Sequence, residues 1–296
     1  MEKRKLGKTG LEVSVLGFGG AEIGFGGASR ELVNELLTGA LDAGANVIDT
    51  AECYELSEER IGETVSHRRK DYYLFSKCGH SRGYDNPDWN DIPRLQASLE
   101  NSLKRLKTDH LDLFQLHSCT RDILQKGEVI EFMKRAKASG KTRYIGYSGE
   151  NEAAQFAINS GGFDTLQLSV NIADQSSIET IISAAARAGM GVIAKRPIAN
   201  AAWKQHSRPE GYVANYWERL QKLSYSFLSA EDAVEIALRF TLSVPGVSIA
   251  LVGTMQPGRY QENARIAAKG SLNSQMYNMI RERWKTVADP SWKGEI

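Results

Sequence analysis

The sequence predicts a (β/α)8 barrel with an N-terminal β-hairpin and a C-terminal helix and tail. Three observations point there. Eight short apolar runs alternate with segments of helical period. Three of those runs end in polar residues, at Asp49, Lys77 and His117, as parallel strands do where chemistry is placed. The 296 residues suit a barrel of ~250 residues with additions. A doubly wound sheet is the second architecture. It is weakened because Gly17-Phe18-Gly19-Gly20 leads to Glu22 where a dinucleotide-binding GxGxxG needs glycine. No linker or low-complexity stretch divides the chain, so residues 1–296 read as one domain.

In order, Leu6 to Leu16 alternates around the turn Gly7-Lys8-Thr9-Gly10 and reads as a hairpin leading to a first strand ending near Gly17. Ser29 is an N-cap for the face Leu32, Val33, Leu36, Leu37, Ala40 and Leu41, with Gly44 as the stop. Asn46 to Asp49 is the second strand, and a helix starts near Ser57. Tyr72 to Lys77 is the third, followed by the loop 78–91 and a helix whose apolar face is Ile92, Leu95, Leu99, Leu103 and Leu106. The fourth is Leu111 to His117, then a helix Val129 to Ala138 closed by Gly140. Arg143 to Ser148, Thr165 to Val170 and Gly191 to Ala194 are strands five to seven, separated by helices near Ala153–Ile158 and Ile178–Ala188. An aromatic insertion, Ala199 to Phe227, precedes the helix Ala230 to Phe240 and the eighth strand, Val247 to Val252. Pro257 opens the next helix, and Ser274 to Val287 is a last amphipathic segment.

Composition narrows function. Hydrophobic content of 42% and charged content of 25% are ordinary for a globular protein. A net charge of +1 gives no general attraction to nucleic acid or acidic membranes. No apolar run approaches the ~18 residues of a membrane span. Three cysteines without a pairing pattern and no signal-peptide core suggest a reducing, cytoplasmic setting. Nothing in the residues assigns an oligomeric state.

Asp49, Tyr54, Lys77 and His117 fall at or just beyond neighbouring strand tips, and adjacent strands lie ~4.8 Å apart. A tyrosine is a weak acid at neutral pH, and a lysine ammonium beside it favours the phenolate. An aspartate keeps that ammonium charged and positioned, and a histidine can orient a carbonyl oxygen. Such a set would protonate a carbonyl oxygen while hydride reaches its carbon. The cysteines each lie within two positions of this set. Cys53 and Cys78 are expected to point away from the mouth by strand alternation, and Cys119 to line a pocket. Metal chemistry, with Cys78, His80, His117 and Cys119 as zinc ligands, is the weaker reading, and no metal site is assigned.

The chain resembles the aldo-keto reductases over nearly its whole length. The resemblance is carried by Arg4-Lys5-Leu6-Gly7-Lys8-Thr9-Gly10-Leu11, Ile48-Asp49-Thr50-Ala51 with Tyr54, Ser57-Glu58-Glu59-Arg60-Ile61-Gly62, Ser76-Lys77, the run Ser98 to Leu106, and Asp112-Leu113-Phe114-Gln115-Leu116-His117. It implies reversible reduction of aldehydes or ketones, with Asp49, Tyr54, Lys77 and His117 as catalytic residues and Tyr54 as the acid. It also implies NADP(H), ahead of NAD(H), and a small-molecule carbonyl substrate. Cofactor contacts fall on Ser148, Gln167, Asn171, Lys195, Arg196, Gly253, Thr254, Arg259, Glu262 and Asn263. Two departures stand out: Gly149 replaces the usual asparagine, and Lys195 the usual aromatic residue against the nicotinamide. Gly253 likewise replaces a lysine often found there. The insertion 199–227 would cover the cofactor, and Phe25, Trp89 and Trp292 would line the pocket. The alternative is a cofactor-sensing regulatory subunit of the same fold with little turnover.

Overall fold

A computed structural model describes residues 1–25, 27–82 and 89–295. Part of the loop 78–91 therefore lies outside the described residues. An antiparallel hairpin of β1 (Lys3–Lys5) and β2 (Glu12–Ser14) precedes the barrel. The eight barrel strands are β3 (Leu16–Gly19), β4 (Val47–Asp49), β5 (Tyr73–Cys78), β6 (Leu111–His117), β7 (Thr142–Ser148), β8 (Thr165–Ser169), β9 (Gly191–Lys195) and β10 (Val247–Val252). All pair in parallel in chain order, and β10 pairs with β3 to close the ring.

The helices follow from local chemistry. α1 (Ala21–Phe25) and α2 (Arg30–Asp42) come first, and the Ser29 hydroxyl accepts from the Leu32 N–H as expected of an N-cap. Next come α3 (Ser57–Thr64) and α4 (Ile92–Leu106), the latter capped by Asp91 at Arg94 N. α4 buries Leu95, Leu99, Leu103 and Leu106, each worth ~1.5–3 kcal/mol by area. α5 (Arg121–Lys126), α6 (Glu128–Ala138) and α7 (Asn151–Asn159) flank β7. The expected helix after β8 opens with a π-turn over Ile178–Ile182 and continues as α8 (Ser183–Arg187). The insertion carries α9 (Val213–Leu223). α10 (Ala233–Leu242), α11 (Arg259–Ala268) and α12 (Ser274–Val287) complete the ring.

Some elements differ from expectation. The first hairpin strand, β1, lies before Leu6 rather than within Leu6 to Leu16, because Gly7–Thr9 forms a 3-10 turn, while β2 falls within that span. The first barrel strand continues to Gly19. Short helices α1 and α5 were not anticipated. α11 starts at Arg259, after Gly258 at φ 79°, so Pro257 precedes the helix rather than opening it.

The barrel has two cores. Outward-facing strand residues pack on the helices. The inward files of Val47, Phe75, Leu113, Ile193, Ile249 and Leu251 meet Leu6, Leu11 and Val13 from the hairpin, which closes the floor. Among the described residues no helix is long and apolar enough to cross a membrane.

Candidate active site

Strand alternation carries the same inward files upward from apolar floor to polar mouth. Val47 is followed two residues later by Asp49, Phe75 by Lys77, Leu113 by Gln115 and His117, and Ile193 by Lys195. Register sets the layers: Lys77 stands opposite Gln115, His117 opposite Ser148, Ser148 opposite Gln167, and Ser169 opposite Lys195.

Lys77, only 1% exposed, donates to Asp49 Oδ1 and to the Thr50 carbonyl at 2.8 Å. Asp49 Oδ2 accepts from Gln167 Nε2 at 3.1 Å and more weakly from Gln115 Nε2 at 3.4 Å. Burial pushes the Asp49 carboxyl up, against the pull of Lys77 and the two carboxamides. Tyr54 lies in the turn after β4, half-buried, with the Lys77 ammonium 5.1 Å from its ring centre. Its ring meets His117 edge-on at 5.9 Å and Phe25 at 6.1 Å. Burial first, then the charges of Lys77, Lys195, His80 and Arg196, hold His117 well below the usual imidazole range, so it is neutral at neutral pH. All four residues expected from the sequence thus converge.

Behind them, Glu58 accepts from Ser76 Oγ at 2.6 Å and from Arg105 at 2.7 Å, tying α3 and α4 to the strand that carries Lys77. The sequence reading missed this support, and it missed Gln115, whose place in the Leu113–His117 file was the available signal. His80, grouped with His117 in the sequence only as a zinc ligand, packs its ring on His117 at 5.4 Å and on Trp89 at 6.0 Å. Phe25 and Trp89 approach the mouth as expected, whereas Trp292 packs on Trp284 at 5.4 Å.

Cys78 packs into the strand–helix core, away from the mouth as expected, but the expectations for the other two cysteines need correction. Cys53 points toward the site, its Sγ 3.4 Å from His117 Nδ1. It lies in the turn beyond β4, where strand alternation no longer applies. Cys119 is fully buried, and burial pushes its thiol up to about 12, so it is poorly reactive.

The residues expected at the cofactor form two groups. On the mouth, Ser148 Oγ donates to Gln167 Oε1 at 2.9 Å, and Asn171 Nδ2 donates to the Arg196 carbonyl at 3.1 Å. Lys195 is paired with buried Glu150 at 3.2 Å, so its ammonium is directed sideways. Arg196 donates to Ser169 Oγ and lies 4.0 Å from the centre of the Tyr212 ring, which comes from the insertion. Thr254, Arg259, Glu262 and Asn263 gather around the start of α11. Arg259 there donates to Gln256 at 2.9 Å and Glu262 at 2.7 Å, and Asn263 is buried. A Cβ at Gly253 would displace the Glu22 side chain and stand 2.8 Å from the Gly19 carbonyl oxygen, so a larger residue there requires both to shift.

An apolar-floored closed barrel with a buried acid–lysine pair, a phenol and a neutral imidazole at the strands' carboxyl ends has the organisation of a barrel enzyme. The chain belongs to the Aldo/keto reductase family, whose profile matches residues 15–285, and it is an oxidoreductase. It is 26% identical over 305 residues to the uncharacterized oxidoreductase YqkF of Bacillus subtilis, covering 96% of this chain and 97% of that one. It is 27% identical over 294 residues to L-galactose dehydrogenase of Arabidopsis thaliana, covering 93% and 90%. Among solved structures, the holo form of an aldo-keto reductase from Bacillus halodurans has a TM-score of 0.83 at 26% identity, covering 98% of this chain and 99% of that one.

Proposed function

We propose that this protein reduces aldehydes or ketones to alcohols, reversibly, with NADP(H) ahead of NAD(H). The observation that carries the reading is the buried Lys77–Asp49 pair beneath the Tyr54 ring, facing neutral His117. Neutral imidazole donates one N–H to a carbonyl oxygen without competing for the proton that must be transferred. Tyr54 gives its proton to that oxygen as negative charge develops on it. The Lys77 ammonium stabilises the phenolate left behind, and Asp49 fixes the ammonium in place.

The donor set suits a nicotinamide dinucleotide. Ser148, Gln167 and Asn171 present hydroxyl and amide groups matched to a carboxamide. The start of α11, with Thr254 and the exposed Arg259 guanidinium, suits a phosphate, and Asn263 an adenine edge. Such a cofactor, when bound, supplies the hydride.

Single-turnover oxidation of NADPH by a reactive aldehyde tests the assignment. Tyr54→Phe is expected to slow the chemical step ~10²–10⁴-fold while NADPH affinity is kept. Unchanged rates in the variant would overturn Tyr54 as the acid. Tight NADPH binding without turnover by the wild type would instead favour a cofactor-sensing protein.

A further inference from the structure

Residues 293–295 lie over the rim of the mouth and bond to α7, β8, α9 and Arg196, just after β9. Gly294 exchanges two hydrogen bonds with the Asn151 side chain, at 3.0 and 3.1 Å. A Cβ on Gly294 would stand 2.7 Å from Glu150 Oε2, so glycine lets the tail lie flat on that acid. The Glu295 carbonyl accepts from Arg196 at 2.5 Å and from Ser169 Oγ at 3.4 Å, and its N–H donates to Asp174 at 3.3 Å.

The Glu295 side chain is held differently. Its two oxygens are split between Arg219 Nη2 at 2.5 Å and Asn215 Nδ2 at 2.8 Å. Arg219 is only 6% exposed and also donates to the Lys293 carbonyl at 2.8 Å, with Asp174 3.9 Å away. A guanidinium and a carboxamide on one helix face, pre-aimed at the two oxygens of a carboxylate, form a recognition device of the kind proteins use for planar anions. Arg196 links this device to the reaction centre: it bonds the tail, and its charge reaches His117.

We propose that Arg219 and Asn215 form a carboxylate-binding subsite at the rim of the mouth, occupied in cis by Glu295, whose exchange ligand is a carbonyl compound that itself bears a carboxylate. The substrate class rests on the reductase reading above; the subsite itself does not. Because the tail is anchored beside the subsite, Glu295 competes at an effective concentration on the order of millimolar. An acidic substrate therefore meets a self-occupied site, and a neutral substrate is spared that competition.

The test compares Glu295→Ala with the wild type on para-carboxybenzaldehyde and para-nitrobenzaldehyde, with NADPH in excess. The ratio of kcat/KM for the acidic over the neutral aldehyde is expected to rise about tenfold in the variant, the worth of one freed charge-assisted contact. Adding Asn215→Ala, a change that strands no buried charge, is expected to take back part of that gain. Calorimetric titration with benzoate reads the subsite independently of turnover, and the variant is expected to bind benzoate about tenfold more tightly than the wild type. Equal changes for both aldehydes, or equal benzoate affinity, would overturn the subsite. Loss of benzoate binding when NADPH is saturating would overturn its assignment to substrate and give it to the cofactor. If the wild type turned over neither aldehyde, the reductase reading would fall while the benzoate titration still decided the subsite.

Discussion

A carboxylate taken out of water needs a cation and donors around it, and the buried acids of this mouth divide on that ground. Asp49 has a lysine in contact and two carboxamides. Asp174 has its arginine at 3.9 Å and two long contacts, from Tyr216 at 3.5 Å and Glu295 N at 3.3 Å. Its Oδ1 is buried without a hydrogen-bond partner. Burial, with the like charges of Glu150 and Glu295 against Arg219, raises Asp174 to about 8. In the unfolded chain it would titrate near the ordinary aspartate value of 3.8, so between the two values the native state holds the extra proton. Stability from this group is complete below the lower value and is lost as pH rises toward the upper one. Asp174→Asn removes the titration, so its stability relative to wild type is expected to grow by ~1–3 kcal/mol between about pH 6 and about pH 9, by urea unfolding. A difference independent of pH would show that Asp174 is ionised throughout. The Asp49, Tyr54, Lys77 and His117 set was legible because each residue ends or follows a strand. The Glu150–Lys195 and Asp174–Arg219–Glu295 groups were not, since their members come from distant segments and no spacing relates them.

Elements of three turns or more announced themselves through period and caps, as α2 with Ser29 and α4 with its leucine face show. α1, five residues long, offered no visible period, yet it bears directly on the site. A Cβ on Gly24 would stand 1.9 Å from the Tyr54 carbonyl oxygen, so the helix rests on the backbone of the proposed acid. Phe25 at its end meets the Tyr54 ring, and Arg60 from α3 donates to the Ile23 carbonyl, fixing α1 in place. Gly24→Ala must therefore displace either α1 or the turn 50–56. A misplacement on the order of 1 Å costs ~10²-fold in rate where chemistry depends on position. The expected outcome is a fall in kcat of that order, with a stability loss of only ~1–3 kcal/mol from overpacking. A variant with wild-type kcat would show that α1 yields instead and that its packing does not position Tyr54.

At the scale of the whole molecule, the barrel separates what stabilises it from what reacts, and the two ends can be tested apart. The floor is sealed by the hairpin. Leu6 and Leu11 are at most 1% exposed against the inner apolar files, Tyr144 Oη donates to the Thr9 carbonyl, and Arg4 donates to the carbonyls of Leu242 and Val247. None of these residues reaches the polar layer that begins with Asp49 and Lys77. The inward files join the two ends only through rigid strands, and the change from leucine and phenylalanine to lysine and histidine occurs within one or two residue pairs. Cutting Leu11 to alanine leaves a cavity in a floor whose surrounding strands are locked by parallel pairing and cannot collapse inward. The expected cost is ~2–5 kcal/mol by urea or thermal unfolding. The same variant, assayed well below its melting temperature, is expected to keep the wild-type kcat and the wild-type pH profile. Should kcat fall in proportion to stability, the floor and the mouth would be one mechanical unit, and the layered separation of apolar and polar files would have to be abandoned.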